Sequence, residues 1–287
     1  LICSAPLPGA WRAQLEAIGI VLSEGDLPET TLDWQAASVR ARRHALRGYS
    51  PMAALDAWPS VSIVLVTHRD TYVEHSAAQL SRINYPRLQV VIALHGVDID
   101  DARLASLSAL HDVVISRIPG DLPFGTAMQR ATDRADGHLV TKVDDDDYYS
   151  SEHVWDLVLA RMYSGAELVG KALDWIYLEQ DDVTAFRPVY AAESYATFVA
   201  GGTLLISKAD LLAAGGWRPV PKSVDRALID SVKRAGGLVY RTHGLGYVYV
   251  RHGGAHTATV RDEHFLSRTE QQWTGLLAHD ALGTARH

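Results

Sequence analysis

The chain has 287 residues, 47% of them apolar and 21% charged, a balance typical of a globular protein rather than a disordered, collagen-like or coiled-coil one. Its 27 basic and 34 acidic residues give a net charge of −7, so no overall attraction to nucleic acid or to anionic lipid is expected. The single cysteine, Cys3, excludes an intrachain disulfide and a cysteine-based zinc cluster.

The sequence predicts neither a membrane span nor a secretion signal. No apolar stretch approaches the roughly 18 residues that a transmembrane helix needs, and the first residues lack the basic region of a signal peptide. We therefore expect a cytoplasmic protein with no transmembrane segment. The chain begins with Leu1 rather than Met, which is compatible with a piece cut from a longer protein.

The sequence pattern divides the chain into three parts. Residues 1–58 show helical spacing of apolar residues, first at Trp11, Leu15 and Ile18 and then from Trp34 to Leu46, and predict an N-terminal helical extension. Residues 59–260 form the main domain. Residues 261–287 are expected to form a short helical C-terminal tail.

Short apolar runs alternate with helical patterns through the first half of the main domain. The runs VSIVLV, LQVVIAL, DVVISRI and HLVTKV are too short for independent helices and are typical of buried parallel strands. Segments of helical pattern separate them, as in βαβ units. The second half mixes helices near residues 152–164 and after Lys208 with strands at AELVGKAL, GGTLLIS and GYVYVRH. The fold class is therefore α/β, with a Rossmann-like mixed sheet flanked by helices.

Four consecutive carboxylates, Asp144 to Asp147, directly follow the predicted strand HLVTKV. In open α/β sheets, ligands bind beyond the carboxyl ends of the strands. Adjacent carboxylates repel one another, and a hard divalent cation among them would offset that cost; Mg²⁺ and Mn²⁺ favour oxygen ligands and substrate phosphates. The alternatives are a solvated acidic turn or an N-cap cluster for the helix that follows.

Four blocks, in order, resemble the family 2 glycosyltransferases, which have the GT-A fold. They are VSIVLVTHR; GTAMQRATDRADGHLVTKVDDDDYY; GGTLLISKADLLAAGGWRPVPKSVDRALIDSVKRAGG; and YVYVRHGGAHT. The resemblance covers about residues 60–257. It implies an inverting, metal-dependent transfer of a hexosyl or related sugar from a nucleotide-diphosphate donor. The acceptor would be a hydroxyl group of a glycan, a lipid-linked molecule or a small molecule.

On the donor side, the resemblance places the acidic run where the family carries its Asp-x-Asp motif. It implies that Asp144 faces the nucleotide ribose and that Asp146 holds Mn²⁺ or Mg²⁺, with Asp145 and Asp147 as further candidates. A cation there would neutralise charge on the diphosphate as the sugar–phosphate bond breaks.

Two further pairs are candidates for the same pocket. Thr67 and Arg69 follow the first strand and match positions that line the nucleotide site. Arg251 and His252 follow the last strand, where the arginine could stabilise the leaving diphosphate and the histidine could complete the metal shell. A zinc pair of His252 with His256 is the alternative, but the intervening Gly-Gly-Ala favours a loop.

Asp225 matches the catalytic-base aspartate of the family and would remove the proton of the acceptor hydroxyl. The alternative is a helix N-cap, because RALIDSVKRAGG follows it. If Asp225 is not the base, Asp230 or Glu193 is the next candidate.

Small and aromatic residues are candidates for sugar contact. Gly201 and Gly202 would let the backbone approach a sugar, or would form a turn. Trp217, Trp175 and Tyr177 could stack on sugar faces or fill the core.

The chain departs from the family at the end of the second strand, where Leu94 and His95 replace an acidic pair that reads the base. Met128 and Gln129 likewise stand where Arg-Asn is common. Two other functions therefore stay open: a nucleotidyltransferase, for which the loop after the first strand lacks glycines, and a non-catalytic carbohydrate- or partner-binding module.

Overall fold

The computed structural model describes residues 13–14, 28–110, 112–252 and 262–285. The chain divides into two compact units, residues 1–58 and 59–287. No helix in the described part of the chain is long and apolar enough to cross a bilayer.

The first unit contains helix α1 (Thr31–Tyr49) and the short helix α2 (Pro51–Ala54). Thr30 and Asp33 form a capping box at the start of α1, in which the side chain of each accepts from the backbone N–H of the other. The helix predicted over residues 34–46 is thus confirmed. The apolar pattern at Trp11, Leu15 and Ile18 lies outside the described residues.

The first half of the second unit alternates strands and helices as predicted. The elements are β1 (Val61–Thr67), α3 (Val73–Ser81), β2 (Leu88–His95), α4 (Asp101–Ser108), β3 (Val113–Ile118), α5 (Phe124–Thr132) and β4 (Leu139–Val143). Every residue of β1 and β4 is buried, as expected for strands covered on both faces.

The second half continues with shorter strands and with further helices. These are β5 (Tyr148–Tyr149), α6 (His153–Ser164), β6 (Leu168–Lys171), β7 (Trp175–Leu178), β8 (Val183–Phe186), β9 (Ser194–Tyr195), β10 (Leu205–Ser207), α7 (Lys208–Ala213), α8 (Val224–Arg234), β11 (Val239–Thr242), β12 (Tyr247–Arg251), α9 (Asp262–Leu266) and β13 (Gln271–Thr274). Short 3₁₀ helices span Asp70–Tyr72, Gly201–Thr203 and Asp280–Leu282.

The described strands form two sheets. The larger has the order β3-β2-β1-β4-β10-β6-β11-β9, and the smaller has the order β13-β8-β7-β12-β5. Strands β3, β2, β1 and β4 are parallel to one another, whereas β10 is antiparallel to both β4 and β6. The predicted mixed α/β sheet with flanking helices is therefore confirmed.

The segment predicted as a helical tail contains α9 and also contributes a strand to the smaller sheet. Strand β13 pairs with β8, and the indole of Trp273 stacks on Trp175 at 5.6 Å. A tryptophan stack buries a large apolar area, which explains why this segment packs against the sheet.

Candidate active site

The site begins where β1 and β4 end side by side. These strands are parallel and pair Leu65 with Val143, so Thr67 and the acidic run emerge at the same edge of the sheet. The Thr67 hydroxyl donates to Oδ2 of Asp145 at 2.5 Å. Burial raises the pKa of Asp145, while Arg69 and Thr67 oppose that rise.

Arg69 joins two carboxylates of the run. Its Nη2 is ion-paired with Asp145 and lies 2.8 Å from Oδ2 of Asp146. The guanidinium also lies over the ring of Tyr72, 4.4 Å from its centroid. Nε of Arg69 also donates to Oδ2 of Asp145 at 3.3 Å, so the guanidinium binds this carboxylate through two N–H groups, a geometry in which arginine binds carboxylates strongly.

His252 faces the same run from the second sheet. Its Nε2 lies 3.3 Å from Oδ2 of Asp146, and its Nδ1 lies 2.7 Å from Oε2 of Glu179. The bond to Asp146 raises the pKa of His252, as does Glu179, although burial opposes both. Burial would raise the pKa of Asp146, but His252 and Arg69 outweigh it and lower the pKa to about 2.

Asp147 connects the acidic run to β12. Its Oδ2 accepts from the Tyr247 hydroxyl and its Oδ1 from the Val250 N–H, both at 2.8 Å. Burial and the charges of Asp146 and Asp144 raise the pKa of Asp147 well above its ordinary value. These contacts give Asp147 a role in holding the run against β12.

Asp144 and Asp225 are both ion-paired with the ammonium group of Lys142. Nζ of Lys142 lies 2.5 Å from Oδ1 of Asp144 and 3.2 Å from Oδ1 of Asp225. Oδ1 of Asp225 is buried against the lysine, but the side chain as a whole is 30% exposed. Burial raises the pKa of Asp225 to about 6, Lys142 opposing and Asp144 reinforcing the rise.

The two glycines of the 3₁₀ helix make room for these carboxylates. A Cβ at Gly201 would stand 2.4 Å from Oδ2 of Asp225, and one at Gly202 would stand 2.8 Å from Oδ2 of Asp144. Real Cβ atoms do not approach so closely, so glycine is required for this packing. The glycines predicted for sugar contact thus also pack against the two carboxylates.

Asp225 is not the N-cap of α8, so the alternative role considered for it is wrong. The N-cap is Ser223, whose φ of 57° is left-handed and whose side chain makes no capping bond; Asp225 lies in the first helical turn. Asp230 pairs with Arg226 on the same helix. Glu193 accepts from Tyr163 at 2.7 Å, away from the acidic run in sequence.

Other predicted residues pack differently. The guanidinium of Arg251 lies 4.9 Å from the centroid of the Phe265 ring. Trp217 is 4% exposed in the main core, and its Nε1 donates to Thr132 at 2.9 Å. Trp175 is likewise buried, with the centroid of its ring 4.6 Å from that of Phe186. Their roles toward a ligand stay predictions, and His256 lies outside the described residues.

The end of β2 carries no carboxylate. Leu94 is buried, and Nε2 of His95 lies 3.0 Å from the carbonyl oxygen of Leu122. The structure thus places a hydrophobic side chain and an imidazole at this strand end, as the sequence indicated.

Two neighbouring side chains, Asp146 and His252, are candidate ligands for a cation. No group of three or more His, Cys, Asp or Glu suited to a metal occurs among the described residues. Asp146 and His252 nevertheless fit a cation that takes one or two protein ligands and completes its shell with phosphate oxygens. The bond from His252 to Glu179 is the outer contact that usually orients a metal-binding histidine.

Sequence reasoning missed Lys142, Glu179 and Tyr72. A lysine inside the apolar run HLVTKV, two residues before the acidic run, was a usable signal, because a lysine is rarely buried without a carboxylate partner. Glu179 and Tyr72 carried no local signal. Their contacts depend on which strand and loop ends meet in the fold.

Comparison with solved structures identifies the fold. S. aureus TarS (residues 1–349) in complex with UDP-GlcNAc matches 72% of this chain and 63% of its own, with 15% identity and a TM-score of 0.55. The same TarS fragment in complex with UDP matches 67% of this chain and 60% of its own, with 13% identity and a TM-score of 0.53.

The chain has a GT-A-like fold. It spans less than two thirds of the length of these TarS fragments. Neither a protein-family model nor a curated protein sequence matches the chain. In this GT-A-like fold, the acidic run, Arg69, His252, Lys142 and Asp225 lie in one connected set of contacts.

Proposed function

We propose that this chain is a glycosyltransferase that moves a sugar from a nucleotide-diphosphate donor to a hydroxyl acceptor. The observation that carries the proposal is the bridge of Asp144 and Asp225 by Lys142. It brings a carboxylate at the end of a central strand together with one from a separate helix, at the sheet edge where α/β folds bind ligands. The GT-A-like fold, shared with a protein solved with UDP-GlcNAc, supports it.

The proposed transfer is a single displacement with inversion, as the resemblance to family 2 implies. Asp225 takes the proton of the acceptor hydroxyl while that oxygen bonds to the anomeric carbon. The bond from the anomeric carbon to the phosphate oxygen breaks, and the nucleoside diphosphate leaves with the electron pair. Asp225 suits this role because its side chain is 30% exposed although Oδ1 is buried beside Lys142.

The donor side is assigned to the acidic run. Asp144 faces the ribose, Thr67 holds Asp145 in place, and Arg69 is available to the diphosphate. Asp146 and His252 would hold Mn²⁺ or Mg²⁺, and a bound cation would neutralise charge on the leaving diphosphate. The cytoplasmic location expected from the sequence stays a prediction.

The test is to incubate the full chain with UDP-GlcNAc and Mn²⁺ and to identify the released nucleotide. A glycosyltransferase releases UDP by slow transfer of the sugar to water. A nucleotidyltransferase instead breaks the bond between the two phosphates, which yields UMP and GlcNAc 1-phosphate with water, or UTP and GlcNAc 1-phosphate when pyrophosphate is added. A binding module releases nothing, although the ligand raises its Tm by mass action. The Asp225→Asn variant is the matched control. If this variant releases UDP as fast as the unchanged chain, the assignment of Asp225 as the catalytic base is contradicted.

The same assay, repeated with GDP-, ADP- and TDP-linked sugars, tests how strongly the donor site selects one nucleobase. Because Leu94 and His95 offer no carboxylate at the end of β2, we expect the four nucleoside diphosphates to bind within about tenfold of one another, or roughly 1.4 kcal/mol. A much stronger preference for UDP would show that other groups read the base.

A further inference from the structure

A lysine lies in the buried centre of the larger sheet. Lys142 belongs to β4, which is hydrogen-bonded to β1 on one side and β10 on the other, and its side chain is 3% exposed. Besides Asp144 and Asp225, its Nζ lies 3.2 Å from the carbonyl oxygen of Gly201. The ammonium thus donates hydrogen bonds to Asp144 and to Gly201 and is also ion-paired with Asp225.

The charge of this lysine is kept by its surroundings. Burial works to lower the pKa of Lys142, but the charges of Asp144 and Asp225 outweigh it and raise the pKa above its ordinary value. A buried ammonium is costly unless it is paired, and the same holds for each carboxylate. The three groups therefore stabilise one another in one geometry.

The contacts come from three separate parts of the chain. Asp144 follows β4, Asp225 lies in the first turn of α8, and Gly201 begins a 3₁₀ helix. The charged groups that act on Asp225 are Lys142, which attracts it, and Asp144, which repels it. Without the lysine, Asp144 and Asp225 would repel each other with no positive charge between them.

We propose that Lys142 is a positioning residue that holds Asp225 beside Asp144 and so sets the base at a fixed place relative to the nucleotide. The roles of the two carboxylates rest on the proposed function, whereas the bridge itself does not. The proposal predicts two separable effects of removing the lysine, one on folding and one on turnover.

The folding effect is measured with the full chain as Lys142→Met, alone and with Asp225→Asn. In Lys142→Met, burial beside Asp144 raises the pKa of Asp225 further. A group with a raised folded pKa loses its stability contribution as the pH rises through that value, so the Tm should fall between about pH 6 and pH 8 relative to the unchanged chain. Adding Asp225→Asn should remove most of that fall.

Lys171→Met is the matched control. Lys171 is also fully buried and pairs with an aspartate, Asp156, at 2.7 Å, so its loss should also lower the Tm. Asp225→Asn should not restore the Tm of Lys171→Met. If Lys142→Met does not fold alone, recovery of folding by Asp225→Asn supports the bridge. No recovery in the double variant, or equal recovery with Lys171→Met, overturns it.

The effect on turnover shows whether Lys142 positions Asp225 or only stabilises the fold. In Lys142→Met at a temperature where it is folded, kcat for UDP release from UDP-GlcNAc should fall by about 10²-fold, the loss typical of a misplaced catalytic group. The KM should change much less. If kcat is unchanged in Lys142→Met although Asp225→Asn restores the Tm of this variant, the positioning role is overturned. If the unchanged chain releases no UDP, the proposed function fails, while the Tm rescue still decides whether the bridge exists.

Discussion

Oε2 of Glu179 lies 2.7 Å from Nδ1 of His252. The two residues meet because β7 and β12 are parallel neighbours that pair Leu178 with Arg251, so the next residue of each strand emerges at the same end. The contact holds the imidazole with its Nε2 toward Asp146. Glu179 thus orients a side chain of the acidic site without touching the acidic run itself.

Replacing Glu179 by glutamine should weaken the apparent affinity for Mn²⁺ in the presence of UDP by about 10- to 100-fold, because outer partners of metal-binding histidines typically contribute that much. Isothermal titration of Mn²⁺ into the UDP-saturated chain measures it. Glu74→Gln, which removes a similarly exposed carboxylate paired with Arg103 at 2.9 Å, is the control. Equal affinities in both variants would exclude the orienting role.

Asp146→Asn should abolish the Mn²⁺-dependent part of UDP binding. Repulsion among four adjacent carboxylates would by itself make this change neutral or mildly stabilising. The structure predicts the opposite, because Asp146 is paired with Arg69 and His252 and its pKa is lowered to about 2. We expect a loss of about 2 kcal/mol in the free energy of unfolding at neutral pH.

The pH dependence of that loss has a definite sign. A carboxylate whose folded pKa lies below its unfolded value of about 4 stabilises the fold above that value, and the contribution is lost as the pH falls toward 2. Urea denaturation between pH 2 and 7 should therefore show the Asp146→Asn deficit shrinking on acidification. A deficit that stays constant over this range would mean that the carboxylate charge is not what stabilises the fold.

Asp225→Asn should lower kcat by at least about 10²-fold, the low end of general-base assistance, while the affinity for UDP changes little. Because the N-cap of α8 is Ser223, neither this change nor Asp225→Ala removes a helix cap. The unchanged chain should lose activity as the pH falls below about 6, since protonated Asp225 cannot accept a proton. A rate profile without this acidic limb would indicate another base.

Gly201→Ala should also lower kcat, by displacing Asp225 rather than removing it. Its Cβ would stand 2.4 Å from one carboxylate oxygen and 2.8 Å from Cγ. We expect a loss of about 10²-fold in kcat with the affinity for UDP nearly kept. Gly48→Ala is the control, since a Cβ there meets nothing within 4 Å and Gly48 lies in α1. Full activity in Gly201→Ala would show that Asp225 tolerates the shift.

The alternation of strands and helices in the second unit was readable from the sequence. The runs VSIVLV and LVTKV are buried along their whole length, and a strand covered on both faces favours apolar residues on both of them. The acidic run was readable for a similar reason, because four carboxylates after such a strand are conspicuous. The strand β13 was not readable, since its partner β8 is distant in sequence and Gln271 to Thr274 carries no strand pattern.

The sequence by itself therefore determined the fold class and the four carboxylates that directly follow β4, whereas ligand binding there stays a prediction. Only the tertiary structure decided how those charges are balanced. Lys142 looked like part of a strand, and Glu179 like a polar residue after one. The role of each depends on a partner on another element, which is Asp225 for Lys142 and His252 for Glu179. Local patterns report burial and secondary structure, whereas charge pairing depends on distances that the chain acquires only when it folds.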